Sequence, residues 1–131
     1  RVDVRSGDIL LIRTGNLPWF YSLSDKTTFW KDGSPGLSNR TVDWLYDHEI
    51  AAVAADNIAV EVVPFEEPYE VGWPLHTRLI RDLGLTIGEL WWLEELAEAC
   101  AAEQRWEFFL SAPPLYVANA VGGPTNPIAF L

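Results

Sequence analysis

The chain has 131 residues, with 19 acidic against 9 basic side chains and a formal net charge of -10. Its 49% hydrophobic content and seven tryptophans can build a sizeable core in one domain, which argues against a disordered chain. The scattered basic residues and acidic balance would repel a phosphate backbone, so nucleic acid is not an expected partner.

No run nears the roughly eighteen uninterrupted apolar residues that a membrane span needs. The stretch Arg1 to Asp8 carries no hydrophobic signal core, so no membrane partner is expected and the default compartment is cytoplasmic. That stretch also has no initiator methionine and runs almost at once into an apolar strand, as a cut within a larger protein would.

In chain order, Asp8 to Arg13 (DILLIR) is a continuous β-prone run between Gly7 and a Thr14-Gly15 turn, the pattern of a central strand buried on both faces. Asn16 to Gly36 reads as a long loop. Its aromatics, among them Trp19, Phe20, Tyr21, Phe29 and Trp30, are too many for a solvated connection and suit the wall of a pocket or an interface. Ser38 can cap a helix in which Val42, Leu45 and Tyr46 recur at helical spacing, ending near His48. Ile50 to Ala54 is a short apolar strand, and Asp56 falls just past its C-terminal end, where ligands gather in open α/β sheets.

Val62 to Trp73 is irregular, with Pro64 and Pro68 and the acidic Glu66, Glu67 and Glu70. Leu75 to Leu83 follows as a short helix with Leu75, Leu79, Ile80 and Leu83 on one face and Gly84 as a left-handed stop. A brief strand is expected at Leu85 to Ile87. The helix Leu93 to Glu103 turns Leu93, Leu96, Ala97 and Cys100 inward and Glu94, Glu95 and Glu98 to solvent. The single cysteine, Cys100, forms no internal disulfide and fits as core packing. Strands at Trp106 to Ser111, Leu115 to Val117 and Ile128 to Leu131 complete the chain, the last after the loop Val121 to Pro127. Alternating strands and helices argue for α/β with a mixed sheet and flanking helices.

There is no phosphate-binding P-loop, no dinucleotide G-x-G-x-x-G, no nucleophile elbow and no C-x-x-C, and each absence removes a class of functions. The residues of interest are His76 and, thirteen positions on, Glu89, since His48 is the only other histidine. A lone histidine on a helix is most often structural, and Glu89 alone reads as a charge at a helix start. If the chain reverses between a helix at 75–83 and a strand at 85–87, however, the two can face one centre. Imidazole plus carboxylate suits a zinc, manganese or ferrous ion, but a catalytic metal normally takes at least three protein ligands. Asp56, Glu61 or another carboxylate would have to be the third, so the pair reads as half a site.

Several motifs in order resemble the metal-dependent cyclase family that includes bacterial kynurenine formamidase and isatin hydrolase. They are GDILLIRTG (Gly7 to Gly15), PGLS (Pro35 to Ser38), AADNIAVE (Ala54 to Glu61), PLHTR (Pro74 to Arg78), Gly88-Glu89 followed by LEELA (Leu93 to Ala97), EFFLSAPPL (Glu107 to Leu115) and VGGPTNP (Val121 to Pro127). The resemblance implies a metal-site role for His76 and Glu89 with zinc or manganese bound, a swivelling β/β/α-type domain, and a homodimer or higher oligomer. It also implies hydrolysis of a C–N bond in a formamide or cyclic amide by a metal-activated water, with a small-molecule amide as substrate. Trp19, Phe29, Trp30 and Asp56 are the expected substrate contacts.

The family's N-terminal His-x-x-x-His-x-Asp stretch, which supplies the other ligands and the acid/base histidine, has no match here. The His76 to Glu89 spacing is one residue longer than the commoner pattern, and Gly123 stands where Ser or Thr is expected. The expectation is therefore that residues 1–131 are the C-terminal portion of one such domain. No catalytic residue is assigned within it, and the missing N-terminal segment is its partner; alone it would be nearly inactive. The alternative is a binding or scaffolding domain that keeps the fold without the chemistry.

Overall fold

The computed structural model describes residues 2–28, 33–66 and 72–131. Two units divide the chain, Asp3–Leu93 and Glu94–Leu131 joined by Val2. In the first, β1 (Ile9–Ile12), β2 (Ala52–Ala55) and β3 (Thr86–Gly88) pair in parallel in the order β1-β2-β3, with Ile9 opposite Ala52 and Val53 opposite Ile87. The central strand is thus β2. The Asp8–Arg13 run, expected at the centre, supplies an edge of this sheet, and its Ile9 is 44% exposed. The small side chains of β2 let neighbours approach both faces, and Val53, Ala54 and Ala55 are all buried.

Ser38 behaves as its position suggests. Its side chain accepts from the Arg40 N–H at 3.1 Å and opens a 3-10 turn, Asn39–Thr41, that leads into α2 (Val42–Asp47). α3 (Pro74–His76) starts with a proline, whose missing N–H would have no helical partner there. It widens at once into a π-helical stretch, Thr77–Asp82, closed by a bond from the Leu83 N–H to the Arg78 carbonyl at 3.1 Å. Gly84, at φ +66, ends it.

The core joins Val42 and Leu45 of α2, Val53 and Ala55 of β2, and Leu75 and Leu79 of the α3 turn, with Ile50, Val60 and Leu85 around them. Leu75 and Leu79 are 0% and 1% exposed, and truncating either to alanine is expected to cost about 2–5 kcal/mol. Ile80, expected on the same face, is instead exposed.

Asn16 to Gly36 is not all loop. Asn16–Ser22 forms α1, and a 3-10 turn follows at Lys26–Thr28. The Lys26 ammonium donates to the carbonyls of Phe20, Tyr21 and Leu23, closing the end of α1 where cations are favoured.

In the second unit, α4 (Glu94–Glu103) buries Cys100, as expected of a small core thiol. β4 (Phe109–Ser111) and β5 (Ile128–Phe130) form an antiparallel ribbon with Phe109 opposite Phe130, their rings 5.7 Å apart. Leu115 to Val117 forms no strand. Pro113 and Pro114 have no N–H to give a ladder, and a single Pro114–Thr125 bridge remains. The fold is α/β, and its parallel and antiparallel pairings lie in separate sheets. Among the described residues no helix is long and apolar enough to cross a membrane.

Candidate functional site

The site is assembled by the turn that leaves β2. Asp56, 1% exposed, stands at its start. One carboxylate oxygen accepts from the Thr14 N–H (2.6 Å) and hydroxyl (2.7 Å), and the other from the Gly15 N–H (2.8 Å). These bonds hold Gly15 at φ 81 and so set the first turn of α1. Charge-assisted bonds of this kind are roughly twice as strong as neutral ones.

At the end of the turn the Glu61 N–H reaches back to the Ala59 carbonyl at 2.5 Å, which puts Val60 at φ 57. A β-branched residue there is strained by about 1–3 kcal/mol and persists because its surroundings over-determine it. The determinants are visible. Leu37 donates to the Val60 carbonyl at 2.8 Å, and Val62 donates to Leu37 at 3.0 Å. The Asn57 amide donates to the carbonyls of Pro35 (2.7 Å) and Glu61 (3.1 Å). Gly36 packs so closely that a Cβ there would lie 2.4 Å from the Glu61 carbonyl carbon and oxygen. The glycine is required for contact rather than for its own dihedrals.

Glu61 is thereby delivered, 2% exposed, to the start of α3. Its Oε2 accepts from the Leu75 N–H at 2.8 Å and its Oε1 lies 2.8 Å from His76 Nδ1. The other ring nitrogen, Nε2, lies 2.9 Å from Glu89 Oε1. His76 and Glu89 are therefore brought together across the reversal between α3 and β3. The hydrogen bond with Glu89 holds the His76 pKa above its ordinary 6.5; Glu61 and the charge of both carboxylates act in the same direction, and burial opposes them. The Trp73 ring meets the imidazole edge-on with centroids 5.4 Å apart. Trp73 and Leu90 also have positive φ, 61 and 57, so Glu61 and Glu89 each adjoin such a position in the chain and His76 follows one at the start of α3.

The donor set fits half of a metal centre. An imidazole nitrogen and a carboxylate oxygen face each other, with the second ring nitrogen held by a carboxylate, the usual support of a metal-binding histidine. Glu61 approaches Nδ1 and so cannot share an ion with Nε2, while both oxygens of Asp56 are engaged by Thr14 and Gly15. Among the described residues no group of three or more histidine, cysteine, aspartate or glutamate side chains is arranged around one ion.

A groove of about 710 Å³ opens where Phe20, Tyr21, Leu17 and Lys26 meet Ile58, Leu90 and Trp92. Leu90 is the residue after Glu89, so the groove and the His76–Glu89 pair adjoin along the chain. Of the expected aromatic wall, Trp19 is half-buried on α1 but does not line this groove, and Phe29 and Trp30 lie outside the described residues. Phe20 and Tyr21 belonged to the same aromatic run. Trp92, edge-on to Tyr21 at 5.7 Å, had only its place three residues after Glu89 to mark it.

Residues 1–62 match the model of the family Cyclase, described as "Putative cyclase". Over 97% of its length the chain is similar, at 48% identity and a TM-score of 0.88, to a solved structure described as a novel cyclase. The chain spans 40% of the length of that structure. No curated protein matches.

Proposed function

We propose that the chain is part of a cyclase-family hydrolase that cleaves the C–N bond of a formamide or cyclic amide, contributing His76 and Glu89 to its metal centre. The observation that carries the reading is the approach of His76 Nε2 and Glu89 Oε1 to 2.9 Å, with the rest of the imidazole locked behind them. Zinc or manganese suits this pair, and the remaining ligands come from outside the described residues. When bound, such an ion supplies Lewis acidity and brings the pKa of water towards neutrality.

The chain's own residues bind, orient and exclude water. Glu89 is 38% exposed at its side chain and His76 23%, so the Nε2 side opens outward while the Glu61 side, at 3%, is sealed. Phe20, Tyr21 and Trp92 offer apolar faces to a flat amide next to Glu89, and Trp73 shields the imidazole edge. A homo-oligomer, or an added segment of the same protein, would complete the ligand set.

The test is hydrolysis of an aryl formamide and of a cyclic aryl amide by the completed protein. Activity is expected to vanish on chelation, to return with zinc or manganese, and to stay lost in Glu89→Gln. Turnover that survives both the chelator and Glu89→Gln would rule the reading out.

A further inference from the structure

We infer that Glu61 is the positioning residue of this site: it dictates which nitrogen of His76 carries the proton, and so which one is free to bind. The inference concerns the metal-free ring, and it gains its functional meaning from the reading of His76 and Glu89 as a metal pair.

A carboxylate only accepts hydrogen bonds, so each group it faces at bonding distance must donate. Glu61 faces two, the Leu75 N–H at 2.8 Å and His76 Nδ1 at 2.8 Å. A neutral ring held there carries its hydrogen on Nδ1 and directs the lone pair of Nε2 at Glu89. Glu89 makes the opposite demand from 2.9 Å, and exposure decides between them. The Glu89 side chain is 38% exposed and can turn to water, whereas that of Glu61 is 3% exposed and has no water to turn to. The backbone behind Glu61 is held as firmly. The positive φ of Val60, the Asn57 amide on the Glu61 carbonyl and the close packing of Gly36 fix the main chain from which that carboxylate projects, and the Leu75 N–H holds its Oε2. Because Leu75 and His76 are consecutive, one side chain also sets the first turn of α3 and the ring it carries.

Glutamine at this position can keep its carbonyl on the Leu75 N–H and turn its NH2 to Nδ1. Nδ1 then becomes the acceptor and the hydrogen moves to Nε2, closing the face towards Glu89. A residue that merely capped α3 would leave the ring nitrogens unchanged in this variant.

The experiment is long-range proton–nitrogen NMR of the metal-free chain labelled with nitrogen-15 histidine, at a pH above the imidazole's raised pKa. His48→Gln assigns the signals, since the chain has 2 histidines. The wild type is expected to show a pyrrole-type Nδ1 and a pyridine-type Nε2, and Glu61→Gln to reverse them. Zinc affinity of the completed protein should fall about 10–100-fold in the same variant. A wild-type ring protonated at Nε2 overturns the inference, as does a folded Glu61→Gln chain with an unchanged spectrum. If that variant fails to fold, the wild-type spectrum decides alone. An Nδ1–H ring in a completed protein that takes up neither zinc nor manganese supports the inference and overturns the metal reading.

Discussion

Asp56 and Glu61 lie at the two ends of one turn, both buried, and do different work. Asp56 gathers three donors from Thr14 and Gly15, none with chemistry of its own, and fixes where α1 begins. Glu61 divides its oxygens between a helix N–H and an imidazole whose far side opens to solvent. The same residue class, equally buried, serves the fold at one end and the site at the other. Burial of a carboxylate therefore says little until its partners are named.

The contrast breaks first at Asp56. Asp56→Ala leaves the N–H groups of Thr14 and Gly15 without their acceptor and is expected to cost about 3–5 kcal/mol in urea unfolding. Near-wild-type stability would mean that the turn does not depend on the carboxylate. Next is Gly36→Ala, whose Cβ would lie 2.4 Å from backbone atoms of Glu61; a loss of about 2–3 kcal/mol is expected, with weaker metal binding beside it. If stability falls and binding does not, Gly36 serves the fold and not the position of Glu61.

A pH series sharpens the comparison further. The folded His76 pKa is raised above 6.5, so between 6.5 and that raised value the folded chain binds more protons than the unfolded one. The stabilisation from His76 is thus complete below 6.5 and is lost as the pH rises through the raised pKa. Denaturation midpoints of wild type and His76→Gln should converge as the pH rises, and midpoints that diverge would reverse the assigned direction. The smallest effect is expected in the other unit. Phe109→Ala removes one exposed cross-strand ring pair and should cost no more than about 1 kcal/mol.

Local pattern was enough for Ser38, Gly84, the strand before Asp56 and the reversal that joins His76 to Glu89. It failed where distant residues decide. α1 depends on Asp56, which acts on Thr14 and Gly15 from 42 and 41 positions away, so no window over Asn16–Ser22 contains its cause. β1 reads as central because its residues are apolar, yet the small residues of β2 can be covered on both faces. Glu61 was visible as a carboxylate that could join His76 and Glu89. Its side of the ring depended on the Val60 turn, which no composition or spacing announces.

The most direct measurement is calorimetric titration of the full-length, metal-free protein with zinc, comparing wild type and His76→Ala. If His76 is a ligand, the wild type binds stoichiometrically and the variant loses more than about 100-fold, beyond the 10–100-fold typical of a supporting residue. Equal affinities in the two proteins would contradict that assignment.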